Sequence, residues 1–128
     1  MDYNFRVTAP GTLAGTVEKV KEALKAEGFG VLTEIDVEAT LKAKLGVDFP
    51  PYRILGACNP PLAKKALEAE PRIGVMLPCN VIVRQIGDNE VEIAAINPAA
   101  NMQAVGNPAL NDIAGEVSGR LQKVLESL

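Results

Sequence analysis

The stretch Asn80-Val81-Ile82-Val83-Arg84-Gln85-Ile86-Gly87-Asp88-Asn89-Glu90-Val91-Glu92-Ile93-Ala94-Ala95-Ile96 decides the fold. Gly87-Asp88-Asn89 separates two runs of β-favouring side chains, the signature of a hairpin. In the second run Val91, Ile93 and Ala95 alternate with other residues, so they face inward from a half-buried strand. The first run, Asn80 to Ile86, is apolar on both faces, which predicts a central strand.

Working outward, Tyr52 to Cys58 reads as the strand before this hairpin, set off by the break Asp48-Phe49-Pro50-Pro51. Asn59-Pro60-Pro61 then opens a helix reaching about Glu70. Pro71 to Pro78 reads as a loop with a short extended piece. Nearer the N-terminus, Tyr3 to Thr8 forms a strand ended by Ala9-Pro10-Gly11. Thr12 caps a helix running to about Glu27, whose Leu13, Val17, Val20 and Leu24 make one apolar stripe. Gly28 suits the left-handed position that stops it. Val31, Thr33, Ile35 and Val37 alternate as a strand, and Ala39 to Leu45 forms a short helix ended by Gly46.

Three helix starts use one device. Asn59-Pro60, Asn97-Pro98 and Asn107-Pro108 each set an N-cap side chain before a proline at the first helical position. Asparagine accepts from orphan N–H groups, and proline has none there to leave unpaired. The last helix carries Leu110, Ile113, Val117, Leu121, Val124 and Leu128 on one face, to pack on the sheet or against a partner subunit. The order β-α-β-α-β-α-β-β-α-α predicts a single α+β domain over residues 1–128. It has a mixed β-sheet of about five strands and helices packed mainly on one face.

Composition narrows the function. The 13 basic and 16 acidic residues give a net charge of −3. Lys19, Lys21 and Lys25 are interleaved with Glu18, Glu22 and Glu27, so no basic patch exists for nucleic acid. No apolar run reaches the length of a membrane span, and Met1-Asp2-Tyr3 does not begin a leader-like segment. A soluble cytoplasmic protein is expected, with Cys58 and Cys79 as free thiols in a reducing compartment. There is no histidine, so neither a Ser-His-Asp nor a Cys-His arrangement can be assembled within one chain.

Two blocks stand out: Ile54-Leu55-Gly56-Ala57-Cys58-Asn59-Pro60-Pro61-Leu62-Ala63 and Leu77-Pro78-Cys79-Asn80-Val81-Ile82-Val83. They resemble the signature blocks of the family known as domain of unknown function 302, and the resemblance extends over nearly the whole chain. It implies a compact α+β domain acting as a dimer, in a family without an assigned activity, and it supplies no catalytic residues.

From the residues themselves, Cys58 is the better candidate for reactivity, because it sits just before a helix start where a thiolate is favoured. Pro60 and Pro61 weaken this by removing two N–H donors, which also argues against a phosphate cradle. If the strands bearing Cys58 and Cys79 are adjacent and antiparallel, the thiols approach; if a parallel crossover joins them, they lie at opposite edges of the sheet. The bland reading, two buried thiols filling core gaps, is the commoner state of free cysteine.

A soft metal at Cys58 and Cys79, with Met76 or Met102 adding thioethers, is the sharper and rarer alternative. Glu34, Asp36 and Glu38 could together hold a hard cation, though such a strand face is usually solvated. Gly28-Phe29-Gly30 has neither the spacing nor the lysine of a phosphate loop. No cofactor is implied. The leading expectation is a non-catalytic module binding a small molecule and working as a homodimer, its pocket lined by Tyr52, Cys58, Asn59, Cys79 and Asn80. The alternative is a thiol redox or soft-metal protein using Cys58 and Cys79.

Overall fold

A computed structural model describes residues 2–128; Met1 lies outside it. The strands are β1 (Asn4–Pro10), β2 (Gly30–Asp36), β3 (Tyr52–Cys58), β4 (Cys79–Gly87) and β5 (Glu90–Ile96). The helices are α1 (Leu13–Ala26), α2 (Val37–Leu45), α3 (Pro60–Ala69), α4 (Pro98–Met102) and α5 (Asn111–Glu126), with short 3-10 turns at Ile73–Met76 and Pro108–Leu110.

The five strands form one sheet in the order β1-β5-β4-β3-β2, with β4 central as its two-faced pattern requires. Every neighbouring pair is antiparallel, so the sheet is not mixed. The reason lies in the long connections. α1 links β1 to β2, which point the same way but sit at opposite edges with three strands between them. The chain after α3 turns back through the Ile73–Met76 segment and re-enters at the end of the sheet it had left.

α1 and α5 lie on one face and build the main core with it. Val17, Val20 and Leu24 of α1 and Val117, Leu121 and Val124 of α5 close over Leu55, Val81, Val83, Val91 and Ile93. Each fully buried aliphatic side chain there contributes roughly 1.5–3 kcal/mol of transfer free energy. The apolar stripe of α5 is therefore consumed by its own subunit. A second apolar cluster, Ala66, Ile73 and Leu110 with Met76, Leu77 and Met102 against it, sits beside the first under α3 and the α4 region.

The caps divide. Asn59 Oδ1 accepts from Leu62 N at 3.3 Å, and Thr12 caps α1 through Gly15 N. Asn107 Oδ1 accepts from Ala109 N at 3.0 Å, while its Nδ2 donates to Ala69 O at 3.1 Å and ties α3 to the last helical segment. Asn97 does not cap its own helix. Its Oδ1 accepts from Ser118 Oγ at 2.8 Å, and that hydroxyl accepts from Ala99 N at 3.1 Å. The cap of α4 is thus relayed through α5, a partner 21 residues away in sequence. Gly28 ends α1 with φ +85° and Gly46 ends α2 with φ +67°, conformations a side chain disfavours.

α2 departs from the expected pattern at its start, because Asp36, the last residue of β2, caps it with its side chain, accepting from Ala39 N at 2.9 Å. Val37 and Glu38 consequently belong to the helix.

Candidate functional site

The site grows out of the β3–α3 junction. β3 ends at Cys58, and Asn59, with 7% of its surface exposed, turns the chain into α3. Four N–H groups open a helix without intrahelical partners. Here two of the four are proline and Asn59 Oδ1 takes that of Leu62, while Ala63 N, donating to Asn59 O at 2.8 Å, makes the first intrahelical bond. Of these four positions at most the Asn59 N–H is left to donate, so the helix start makes a poor anion site.

Beneath the junction is an apolar cavity of about 50 Å³. It lies on the seam between the two core clusters. Phe29, Leu62 and Val117 line it from the main cluster, and Ala66, Leu110 and Met102 from the second. Cys58, Asn59 and Cys79 are its polar lining. No Asp, Glu, Lys or Arg side chain borders it.

The cysteines come together as the antiparallel alternative required. Cys79 begins β4 opposite Ala57, so Cys58 is one residue beyond its cross-strand partner. Both thiols are free and half-buried. Burial pushes the Cys79 thiol up to about 11, and the nearby Cys58 thiol adds to the shift. At neutral pH Cys79 is therefore a protonated, weakly nucleophilic group. Strand alternation gives Cys79 the face of Ala57, and it packs against the main core. Cys58, the last residue of its strand, has the opposite parity in the pleat, yet it borders the same cavity as Cys79.

Tyr52 and Asn80 do not belong to this cavity. Both border a wide basin on the other face of the sheet, with Arg6, Ile82, Arg84 and Glu92. Tyr52 pairs across the strands with Arg84, and Phe49 meets its ring edge-on at 6.3 Å between centroids. The five residues expected in one pocket thus divide three to two between opposite faces. Parity separates Asn80 from Cys79, and Tyr52 lies at the far end of β3.

The acidic trio also dissolves. Glu34 is held by Lys21 Nζ at 2.8 Å and Arg53 Nη1 at 2.6 Å, and the Lys21 hydrogen bond keeps its carboxyl below the usual range. Asp36 caps α2 and Glu38 sits on that helix. Among the described residues no three metal-binding side chains gather. Met102 borders the cavity, while Met76 packs in the second cluster without bordering it.

Sequence reasoning missed the walls supplied by distant segments. Phe29 appeared only as the centre of a glycine cluster, and Leu110, Ile113 and Val117 only as a helix stripe. Phe29 follows the end of α1 and the other three belong to one helix stripe, signals too general to select them.

The chain matches the family model "Domain of unknown function DUF302" over residues 5–128. It is similar to the crystal structure of an uncharacterized DUF302 protein from Bacillus stearothermophilus, with 33% identity, a TM-score of 0.90 and 98% of each chain covered. A comparison with curated proteins finds no match.

Proposed function

Since the chain belongs to the DUF302 family, for which no activity is indicated, we propose that it is a non-catalytic binding module that takes the apolar end of a small molecule and works as a homodimer in the cytoplasm. The observation that carries this reading is the cavity at the seam of the two apolar clusters, bordered by Cys58, Asn59 and Cys79 and by no ionised side chain. Acid–base catalysis needs a group that exchanges protons near the working pH. The Cys79 thiol, pushed up to about 11, and the Asn59 amide do not supply one.

Size constrains the ligand. A cavity of 150 Å³ is known to hold benzene, so about 50 Å³ admits a short alkyl end and no ring. The Asn59 amide and the thiols then stand where the tail joins a polar remainder. No described helix is long and apolar enough to cross a membrane. Two free thiols are the state a reducing cytoplasm maintains.

Titration of the 13C-methyl-labelled protein with short n-alkyl carboxylates tests the reading. Saturable shifts at Leu62, Leu110 and Val117 are expected, and Ala114→Leu, which fills the space from α5, should abolish them. Shifts that never saturate, or that persist in Ala114→Leu, would refute it.

A second reading is favoured by one observation, the juxtaposition of Cys58 and Cys79 on adjacent strand ends. A reversible disulfide would need the two thiols, free in this structure, to close to bonding distance. Counting maleimide adducts before and after mild oxidation decides it: two thiols unchanged by oxidation remove the redox reading, and loss of both together supports it.

A further inference from the structure

We infer that the face of the sheet turned away from α1 and α5 is the surface on which a second copy of this chain docks. The inference rests on the dimer reading above and names the face. Alternation places Ile35, Ile54, Ile82 and Ala94 on that side, and the register sets them directly opposite one another: Ile35 against Ile54, Ile54 against Ile82, Ile82 against Ala94. One apolar row therefore crosses four strands, and none of its members belongs to either core cluster. A sheet face exposed to water ordinarily alternates polar residues outward; this row does the reverse.

The surface area agrees. A compact monomer of 13.5 kDa exposes roughly 6500 Å², whereas this chain exposes 7302 Å². The surplus, roughly 800 Å², is about what one partner contributes to a standard-sized interface. The sheet face measures about 24 by 23 Å, roughly 550 Å² in projection. The β2–β3 connection extends it, carrying Leu45, Val47 and Phe49, with Leu45 68% exposed, and joining the face where Phe49 meets Tyr52.

The charges suit a second copy. In a two-fold interface each patch meets its own likeness, so an unbalanced charge would oppose itself. The Arg84 guanidinium is neutralised within the face by Glu92, Nε to Oε1 2.8 Å. Arg6, opposite Ala94 on the edge strand β1, donates to Asn4 Oδ1 and has no carboxylate partner among the described residues, which sets the rim of the contact at β1. The other routes to pairing are blunted. The edge strand β1 ends in Pro10, and β2 is bulged between Val31 and Thr33. The apolar stripe of α5 is already buried.

Tyr52 and Asn80, which do not reach the ligand cavity, lie on this surface, and interface residues are the role we assign them.

Sedimentation equilibrium on the full chain from 1 to 100 μM tests the inference, with circular dichroism as the check on folding. The wild type is expected to be a dimer. Ile82→Glu and Ala94→Arg should each weaken it by at least about 100-fold, as expected for a charge introduced at the centre of an interface. Ile82→Thr, a milder change that keeps β-branching, should weaken it by roughly tenfold and serves if the charged variants do not fold. Gly119→Gln, on the exposed side of α5 where an added Cβ meets nothing within 4 Å, should leave it intact. Folded variants of the sheet face that dimerise like the wild type, or dissociation caused by Gly119→Gln, would overturn this face while leaving the dimer. A wild-type monomer at 100 μM overturns the dimer itself, and the ligand cavity is then judged by its own titration.

Discussion

The two faces of the sheet are made by alternate residues of the same strands, yet they have different fates. Leu55 is fully buried between β4 and α1, while its neighbour Ile54 lies on the side no α1 or α5 residue covers. On β4, Val81 and Val83 are sealed and Ile82 between them is half-exposed. The hydrophobicity of these neighbours is nearly equal. What separates them is where the long helices lie, a matter of chain path and not of side-chain preference. An apolar residue thus reports that something covers it, without saying whether the cover belongs to its own chain.

The contrast is sharpest in adjacent substitutions. Leu55→Ala should cost about 2–5 kcal/mol of unfolding free energy, the range for emptying a sealed core position. Ile54→Ala should cost under about 1.5 kcal/mol at concentrations where the chain is monomeric. Chemical denaturation of both variants measures the gap, and equal losses would break the distinction between the faces.

Gly56 probes the boundary. Its missing side chain would point to the open face and into Thr33 Oγ1, and would sit 2.7 Å from Pro78 Cγ. Pro78 is a rigid ring, so the clash cannot be relieved by one rotamer. Gly56→Ala should lose about 1–3 kcal/mol, and the same denaturation series reads it. A neutral result would show that this end of the face is loosely packed.

Cys79 tests the covered side by pH. Its thiol titrates near 11 in the folded chain against 9.0 for a free one. The folded state therefore holds its proton longer than the unfolded state. The resulting stability is complete below about pH 9 and lost as pH rises towards 11. The loss should be on the order of 2 kcal/mol and absent in Cys79→Ala, as thermal melts across that window would reveal.

Glu34 gives the smallest effect. Its carboxyl is held below 4.5 first by Lys21 and also by Arg53. Its contribution is present above pH 4.5 and disappears as pH falls through the lowered value. Because the pair is partly exposed, Glu34→Gln should remove only about 0.5–1 kcal/mol at neutral pH. The variant should also flatten the acid limb of the stability curve.

Much of the fold was legible because it depends on near neighbours. The hairpin turn needs only Gly87 to Asn89, and the structure places Asn89 at φ 55° there. Gly28 and Gly46 end their helices within the same turn they terminate. Asn59 and Asn107 bond backbone two or three residues away. Asn97 has the same sequence signal and behaves differently because Ser118, a distant residue, claims its carbonyl oxygen. The extended reading of Pro71 to Pro78 failed in part for a similar reason. Ile73 is drawn into the second cluster and winds the segment into a 3-10 turn.

By itself the sequence determined the α+β class, the element order, the central position of β4 and the absence of a histidine-based catalytic apparatus. These follow from side-chain period, capping chemistry and composition, all of which act over a few residues or over none. Tertiary structure alone decided that the sheet is antiparallel throughout and that Cys58 lies beside Cys79. It alone sent Tyr52 and Asn80 to the opposite face and joined two apolar clusters at a cavity. Those outcomes depend on where α1 crosses the sheet and where the chain re-enters after α3. Such paths are set by the summed packing of residues far apart in sequence, and no local pattern encodes that sum.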